Sequence, residues 1–228
     1  MTPDSRWTAV DTYVNGVLIA DDDALSAAVQ ASEAAGLPAI SVTPQQGKLL
    51  HVMARSIRSR AILEIGTLGG YSTIWLARAV APAGLVTTIE ADAKHAEVAR
   101  ANIARAGLER IVDLRVGRAQ EVLPQLEAER AGPFDFVFID ADKPSTTDYF
   151  NWALRLSRPG ALIFVDNVVR NGGLGDASTT DADAQGMRRF TEALGRDARV
   201  TASVIQTVCS KGYDGFALAL VNGEERRP

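Results

Sequence analysis

The 228-residue sequence predicts an α/β fold, a mostly parallel sheet with helices on both faces and an antiparallel last strand. Three observations carry that expectation. From Ala61 onward, short apolar runs alternate with helix-length stretches. The apolar run at 61–65 leads into a glycine turn, Gly66, Gly69 and Gly70, and then into a helix at Ser72. Near the C-terminus two strand-like runs, 200–208 and 215–221, are joined so tightly around Lys211-Gly212 that they must pair antiparallel.

Each element has its own signal. Residues 7–18 mix apolar and polar positions at helical spacing. Asp22 or Asp23 caps a helix over 24–35, which Gly36 and Pro38 stop. Thr43-Pro44 opens another, with threonine as cap and proline in the first helical position, and sets Leu49, Leu50, Met53 and Ile57 on one face. No linker divides these helices from the strand at 61–65. The chain reads as a single domain, with residues 1–58 as an accessory layer on a core of 59–222. The core then runs strand 61–65, helix 72–80, strand 85–90, helix 93–106, strand 111–116, helix 119–131, strand 134–139, helix 147–157, strand 161–165 and helix 184–194, before the final pair. Its breaks fall at Pro82 and Gly84, Gly107, Gly132-Pro133 and Pro159-Gly160. Residues 224–227 read as a solvated tail.

Composition excludes several classes. A hydrophobic fraction of 46% and a charged fraction of 23% are those of an ordinary globular domain. The net charge of −4 argues against nucleic acid as partner, since such surfaces are usually basic. A single cysteine, Cys209, excludes a disulfide framework. The N-terminus lacks the apolar stretch of a secretory signal, and no apolar run reaches membrane-spanning length, so the expected location is the cytoplasm.

A strand, a glycine turn and a helix start together cradle a nucleotide-bearing ligand. The spacing here is G-x-x-G-G, not the G-x-G-x-x-G of dinucleotide sites, and Glu64 precedes the turn. A carboxylate there suits a ligand with an ammonium and a ribose, which S-adenosylmethionine has. An NAD-dependent oxidoreductase is the rival. Ligands in such sheets lie at the carboxyl ends of the strands. Glu90 ends the second strand, placed for ribose hydroxyls. Asp140 ends the fourth, and Asp166-Asn167 end the fifth. Two carboxylates and an amide oxygen suit a hard cation, Mg²⁺ or Ca²⁺ or Mn²⁺, although Asp-Asn after a strand is also an ordinary turn or cap. Lys143, three residues past Asp140, is either a general base or a solvated loop lysine. His51, His95, Cys209, Trp75 and Trp152 read as packing or surface residues, and Tyr71 goes either way.

Three motifs in order, LEIGTLGGYS, VFIDADK and VDNVV, resemble the cation-dependent O-methyltransferases of caffeoyl-CoA and catechol type, over about residues 42–221. The resemblance implies the class I methyltransferase fold, Rossmann-like, with a seven-stranded sheet. It implies S-adenosylmethionine near Val42, Glu64, Gly66, Thr67, Ser72, Glu90, Ala119 and Asp140, with Asp142 at the cofactor's edge. It implies a divalent cation on Asp140, Asp166 and Asn167, Lys143 as base, and a small phenolic acceptor with vicinal hydroxyls. Bacterial members are commonly homodimers, and Val14, Val17, Leu18 and Ile19 offer apolar surface for one. Some relatives methylate a hydroxylated nucleoside in RNA instead. Pro144, Ser145, Thr146 and Arg170 depart from frequent family residues on the acceptor side. The Gly- and Asp-rich segment 170–185 is expected to be a mobile cover over the acceptor.

Overall fold

The computed structural model describes residues 4–223; the tail expected over 224–227 lies outside them. Three helices come first: α1 (Ser5–Leu18), α2 (Asp23–Ala34) and α3 (Pro44–Ser56). Asp22 caps α2 through Leu25 N, and Thr43 caps α3 through Gln46 N, as the sequence predicts. The alternating core follows: β1 (Ala61–Ile65), α4 (Tyr71–Ala77), β2 (Leu85–Glu90), α5 (Ala93–Arg105), β3 (Val112–Val116), α6 (Ala119–Ala128), β4 (Phe134–Ile139), α7 (Thr146–Leu156), β5 (Ser157–Val165), α8 (Ala182–Leu194), β6 (Val200–Cys209) and β7 (Gly212–Val221).

The seven strands lie in the order β3-β2-β1-β4-β5-β7-β6. All neighbours from β3 to β5 pair parallel, and β7 pairs antiparallel with both β5 and β6. The strand order reverses between β1 and β4, the switch point at which such sheets open a crevice at their carboxyl ends.

Side-chain alternation divides the core into two layers. Leu63, Ile65, Val137 and Ile139 pack under α6, α7 and α8. Ile62, Val86, Phe136 and Phe138 pack under α2, α3 and α4. On that second face Glu64 occupies a position the pattern assigns to an apolar residue.

One expectation needs correction. Strand β5 starts at Ser157 and runs through Pro159-Gly160, which the sequence marks as a break; the pairing with β4 shifts register between Phe134 and Phe136, an irregularity of the kind that admits proline. The segment 170–185 has defined local structure. It forms a 3₁₀ turn at Arg170–Gly175, Arg188 donates to the Leu174 carbonyl at 2.6 Å, and Asp181 caps α8 through Ala184 N. Among the described residues no helix is long and apolar enough to cross a membrane.

Candidate functional site

Two adjoining clefts open at the carboxyl ends of the strands, and Asn167 and Arg170 stand on the walls of both. The first, about 660 Å³, lies over β1, β2 and β4. Its floor is the glycine turn. Gly66 has φ +99°, and a Cβ there would stand 2.1 Å from the Asp140 carbonyl oxygen, so only glycine lets the ends of β1 and β4 come this close. Leu68 is also left-handed, at φ 50°. Glu90 holds this turn: its carboxylate accepts from Leu68 N at 2.7 Å, Thr67 N at 3.2 Å and Asp92 N at 2.9 Å. Its remaining surface faces the cleft, 3.6 Å from His95 Nδ1.

The first cleft gathers Val42, Gly66, Thr67, Ser72, Glu90, Ala119, Asp140 and Asp142 on its walls. Glu64, expected among them, is not there, and its role needs correcting. It is fully buried behind the turn, where its carboxylate accepts from Ser72 Oγ at 2.6 Å, Thr73 Oγ1 at 2.5 Å and Thr88 Oγ1 at 2.7 Å. Burial pushes its carboxyl up to about 7, against the opposite pull of those three hydroxyls. Glu64 therefore ties β1, β2 and α4 together and aims Ser72 rather than facing a ligand itself.

At the far wall, burial works to raise the Asp142 carboxyl, yet hydrogen bonds from Ser145 and Tyr149 hold it below its usual range. The Tyr149 hydroxyl donates to Asp142, and burial together with that carboxylate pushes the phenol up to about 12. Sequence reasoning missed Tyr149. The signal was its nearness in the chain, seven residues past Asp142 and in the first turn of α7. It also assigned His95 to packing or surface, although the ring lines this cleft; the approach of Glu90 is a tertiary fact. Tyr71, left open, lines the cleft too. His51 keeps its structural reading, with Nδ1 3.1 Å from the Trp75 carbonyl.

Asp140 and Asp166 extend the sheet ladder by one step each. Asp140 N donates to Ile65 O and Asp166 N to Ile139 O, both at 2.9 Å, so the two acids end neighbouring strands. Lys143, buried, places Nζ 2.9 Å from Asp140 Oδ1. Its backbone is fixed from outside, because a Cβ on Gly186 of α8 would meet the Lys143 carbonyl at 2.5 Å. Asp166 is 4% exposed and accepts from Asn167 N at 2.8 Å. Burial raises its carboxyl, nearby Asp140 adds to this, and Lys143 opposes it. Asn167 takes φ 54°, a left-handed conformation that asparagine tolerates better than most residues.

The second cleft, about 790 Å³, extends from Asp166 and Asn167 over β7 and the 3₁₀ turn. Asp214 organises its wall, accepting from Val169 N, Arg170 N and Gly215 N at 2.8–3.0 Å. Arg170 reaches Asp183 at 2.8 Å. Gln46, Lys211 and Tyr213 also stand here; none of the three is singled out by the sequence as a site residue.

A doubly wound sheet with a glycine cradle and an acid-ended strand pair defines a ligand-binding α/β enzyme, and comparison with known proteins gives the class. The model of the O-methyltransferase family matches residues 18–220, and the chain belongs to that family: it is an O-methyltransferase. This sets aside the NAD-dependent oxidoreductase. A relative named catechol O-methyltransferase, from Niastella koreensis, is 54% identical over 94% of this chain and 97% of its own. Among solved structures, the O-methyltransferase from Bacillus cereus in complex with SAH is 53% identical, with a TM-score of 0.94 over 96% of this chain and 99% of that one. The O-methyltransferase TomG from Streptomyces achromogenes, involved in tomaymycin synthesis and in complex with SAM, is 52% identical, with a TM-score of 0.93 over 98% and 100%.

Proposed function

We propose that the chain moves the methyl group of S-adenosylmethionine to one hydroxyl of a catechol-like ring, with a divalent cation on Asp140, Asp166 and Asn167. The supporting observation is where these residues meet. Asp140 and Asn167 lie on the wall of the glycine cleft, Asp166 and Asn167 on that of the second, and Lys143 reaches the same point. The methyl donor fits the first cleft, whose turn offers a close backbone approach and whose Glu90 suits a ribose. The relatives solved with SAH and SAM support that assignment.

The donor set also fits a hard cation. Asp166 is a buried carboxylate with a backbone N–H on one oxygen, and burial keeps its carboxyl raised until a positive charge compensates it. A bound cation would supply Lewis acidity, making one ring hydroxyl more acidic. Lys143 Nζ, after giving one proton to solvent, would be the base that takes the hydroxyl proton, which returns it to the ammonium that pairs with Asp140. The freed oxygen then bonds to the methyl carbon as the carbon–sulfur bond breaks, leaving a methyl ether and the neutral thioether. The walls of the two clefts would hold oxygen and methyl group in line, an arrangement worth much of the rate.

EDTA should abolish transfer to catechol while donor affinity, followed by calorimetry, stays nearly intact, and Mg²⁺ should restore the rate. Full turnover in EDTA would remove the cation from the mechanism.

The same reading includes a homodimer. Helix α1 buries none of its residues and leaves Val10, Tyr13, Val17 and Leu18 exposed beside edge strand β6. Sedimentation should give a dimer at micromolar concentration, and a monomer there would overturn it.

A further inference from the structure

The glycine turn of the first cleft has no side chain at Gly69 or Gly70 by which the fold could hold it. Two adjacent glycines leave a turn free to take many backbone angles, so its shape has to be imposed from outside. Glu90 holds one side, through Thr67 N and Leu68 N. Asn102 holds the other. Its Nδ2 donates to the Gly69 carbonyl at 2.9 Å and reaches the Ala28 carbonyl of α2 at 3.4 Å. Its Oδ1 accepts from Arg105 Nη1 at 2.6 Å. That contact fixes the orientation of the amide, because a flipped one would turn its N–H groups toward a guanidinium that only donates.

The setting of Asn102 is otherwise apolar. It is fully buried on α5, with Ala96, Ala99 and Ile103 as the helix's other buried residues. Asparagine is a poor helix former, and an amide inside a core costs free energy unless its hydrogen bonds are made. An apolar residue would avoid that cost but could not hold the Gly69 carbonyl. The helices behind the turn are fitted to the same point. A Cβ on Gly69 would stand 2.0 Å from Ser32 Oγ of α2, and one on Gly70, at φ +81°, 3.4 Å from Ala99 of α5. From Gly70 the chain enters α4, whose Tyr71 and Ser72 stand on the wall of the first cleft.

We propose that Asn102 is the positioning residue of the methyl-donor turn: by holding the Gly69 carbonyl it sets where Tyr71 and Ser72 meet the donor. Asn102 itself lines neither cleft. The proposal rests on the donor assignment made above and is independent of which ring or cation enters the second cleft.

The test is calorimetry of S-adenosylhomocysteine binding to the intact enzyme and to variants, with the melting temperature followed in each. Asn102→Ala should weaken binding roughly tenfold, the span of one buried hydrogen bond. Arg105→Met leaves the amide in place but free to flip, and should weaken binding by about two- to fivefold. Ile103→Val trims a core contact of the same helix without touching the turn; it should lower the melting temperature and leave affinity within about twofold. A purely structural role for Asn102 would instead make affinity follow melting temperature across the series. Unchanged affinity in Asn102→Ala, or an equal loss in Ile103→Val, overturns the proposal while leaving the donor assignment standing. If Asn102→Ala does not fold, Arg105→Met decides, and unchanged affinity there overturns the proposal. An intact enzyme that does not bind S-adenosylhomocysteine overturns both readings.

Discussion

Glu64 and Asp166 invite comparison. Both are buried acids on the sheet, 0% and 4% exposed, and in both burial raises the carboxyl. Their surroundings are opposite. Three hydroxyls converge on Glu64, and its charge is used up inside the fold. Asp166 accepts a hydrogen bond from Asn167 N, has the Gln46 side chain beside it, and otherwise faces a second acid, a lysine and an open cleft. The difference shows that burial and a displaced titration do not by themselves mark a working residue. What separates the two is whether the oxygens are already occupied.

Substitutions can break that contrast. Asp166→Ala should cost roughly a thousandfold or more in methyl transfer, because several kcal/mol of charge stabilisation are at stake. Its melting temperature should hold or rise, since a repelled, desolvated acid is gone. Parallel loss of stability and activity would place Asp166 with Glu64 instead.

Glu64→Ala should behave in the opposite way. It orphans three buried hydroxyls and should cost roughly 3–5 kcal/mol in a denaturant titration, as stripping a buried charged partner does. Glu64→Gln refines this by pH. A carboxyl raised to about 7 in the fold binds its proton more tightly folded than unfolded. Its contribution is therefore fully present below the ordinary carboxylate range and is lost as pH rises to about 7. Glutamine does not titrate, so the fall in stability from pH 5 to pH 8 should be shallower by about 3 kcal/mol in that variant. An unchanged slope would show that Glu64 is not the group responsible.

Glu90 lies between the two extremes, with backbone donors on one side and the cleft on the other. Glu90→Ala should weaken S-adenosylmethionine binding by about 1.5–3 kcal/mol in calorimetry, the smallest of these effects. Unchanged affinity would sink its assignment to the ribose.

How much of the site is legible in the sequence turns on the same distinction. Residues at strand ends are set by the chain's own period, so Glu90, Asp140, Asp166 and Asn167 are found by counting along runs such as 134–139, and β1, β2 and β4 match to the residue. Gly66 is legible because its backbone demand is local. Glu64 is misassigned because one step along a strand moves a side chain to the other face, and hydroxyl partners at 72, 73 and 88 leave no trace in a motif. Lys211, Gln46 and Tyr213 reach the second cleft only through tertiary closure, from β7's hairpin and from α3. The catechol-type motifs say nothing about them.

That closure also sets an order of assembly. Ser210 N donates to Asp11 Oδ2 at 2.7 Å, a bond between positions 199 residues apart, and next to it Lys211 bonds the Ser41 carbonyl. Contacts of such long range form only after nearer ones have restricted the chain. As the polypeptide leaves the ribosome, β1, β2 and β4 can frame the glycine cleft while the final hairpin is still unmade. The rim of the second cleft takes Lys211 from the final hairpin and is complete only once that hairpin has closed, whereas the walls of the first cleft come from residues 38–183.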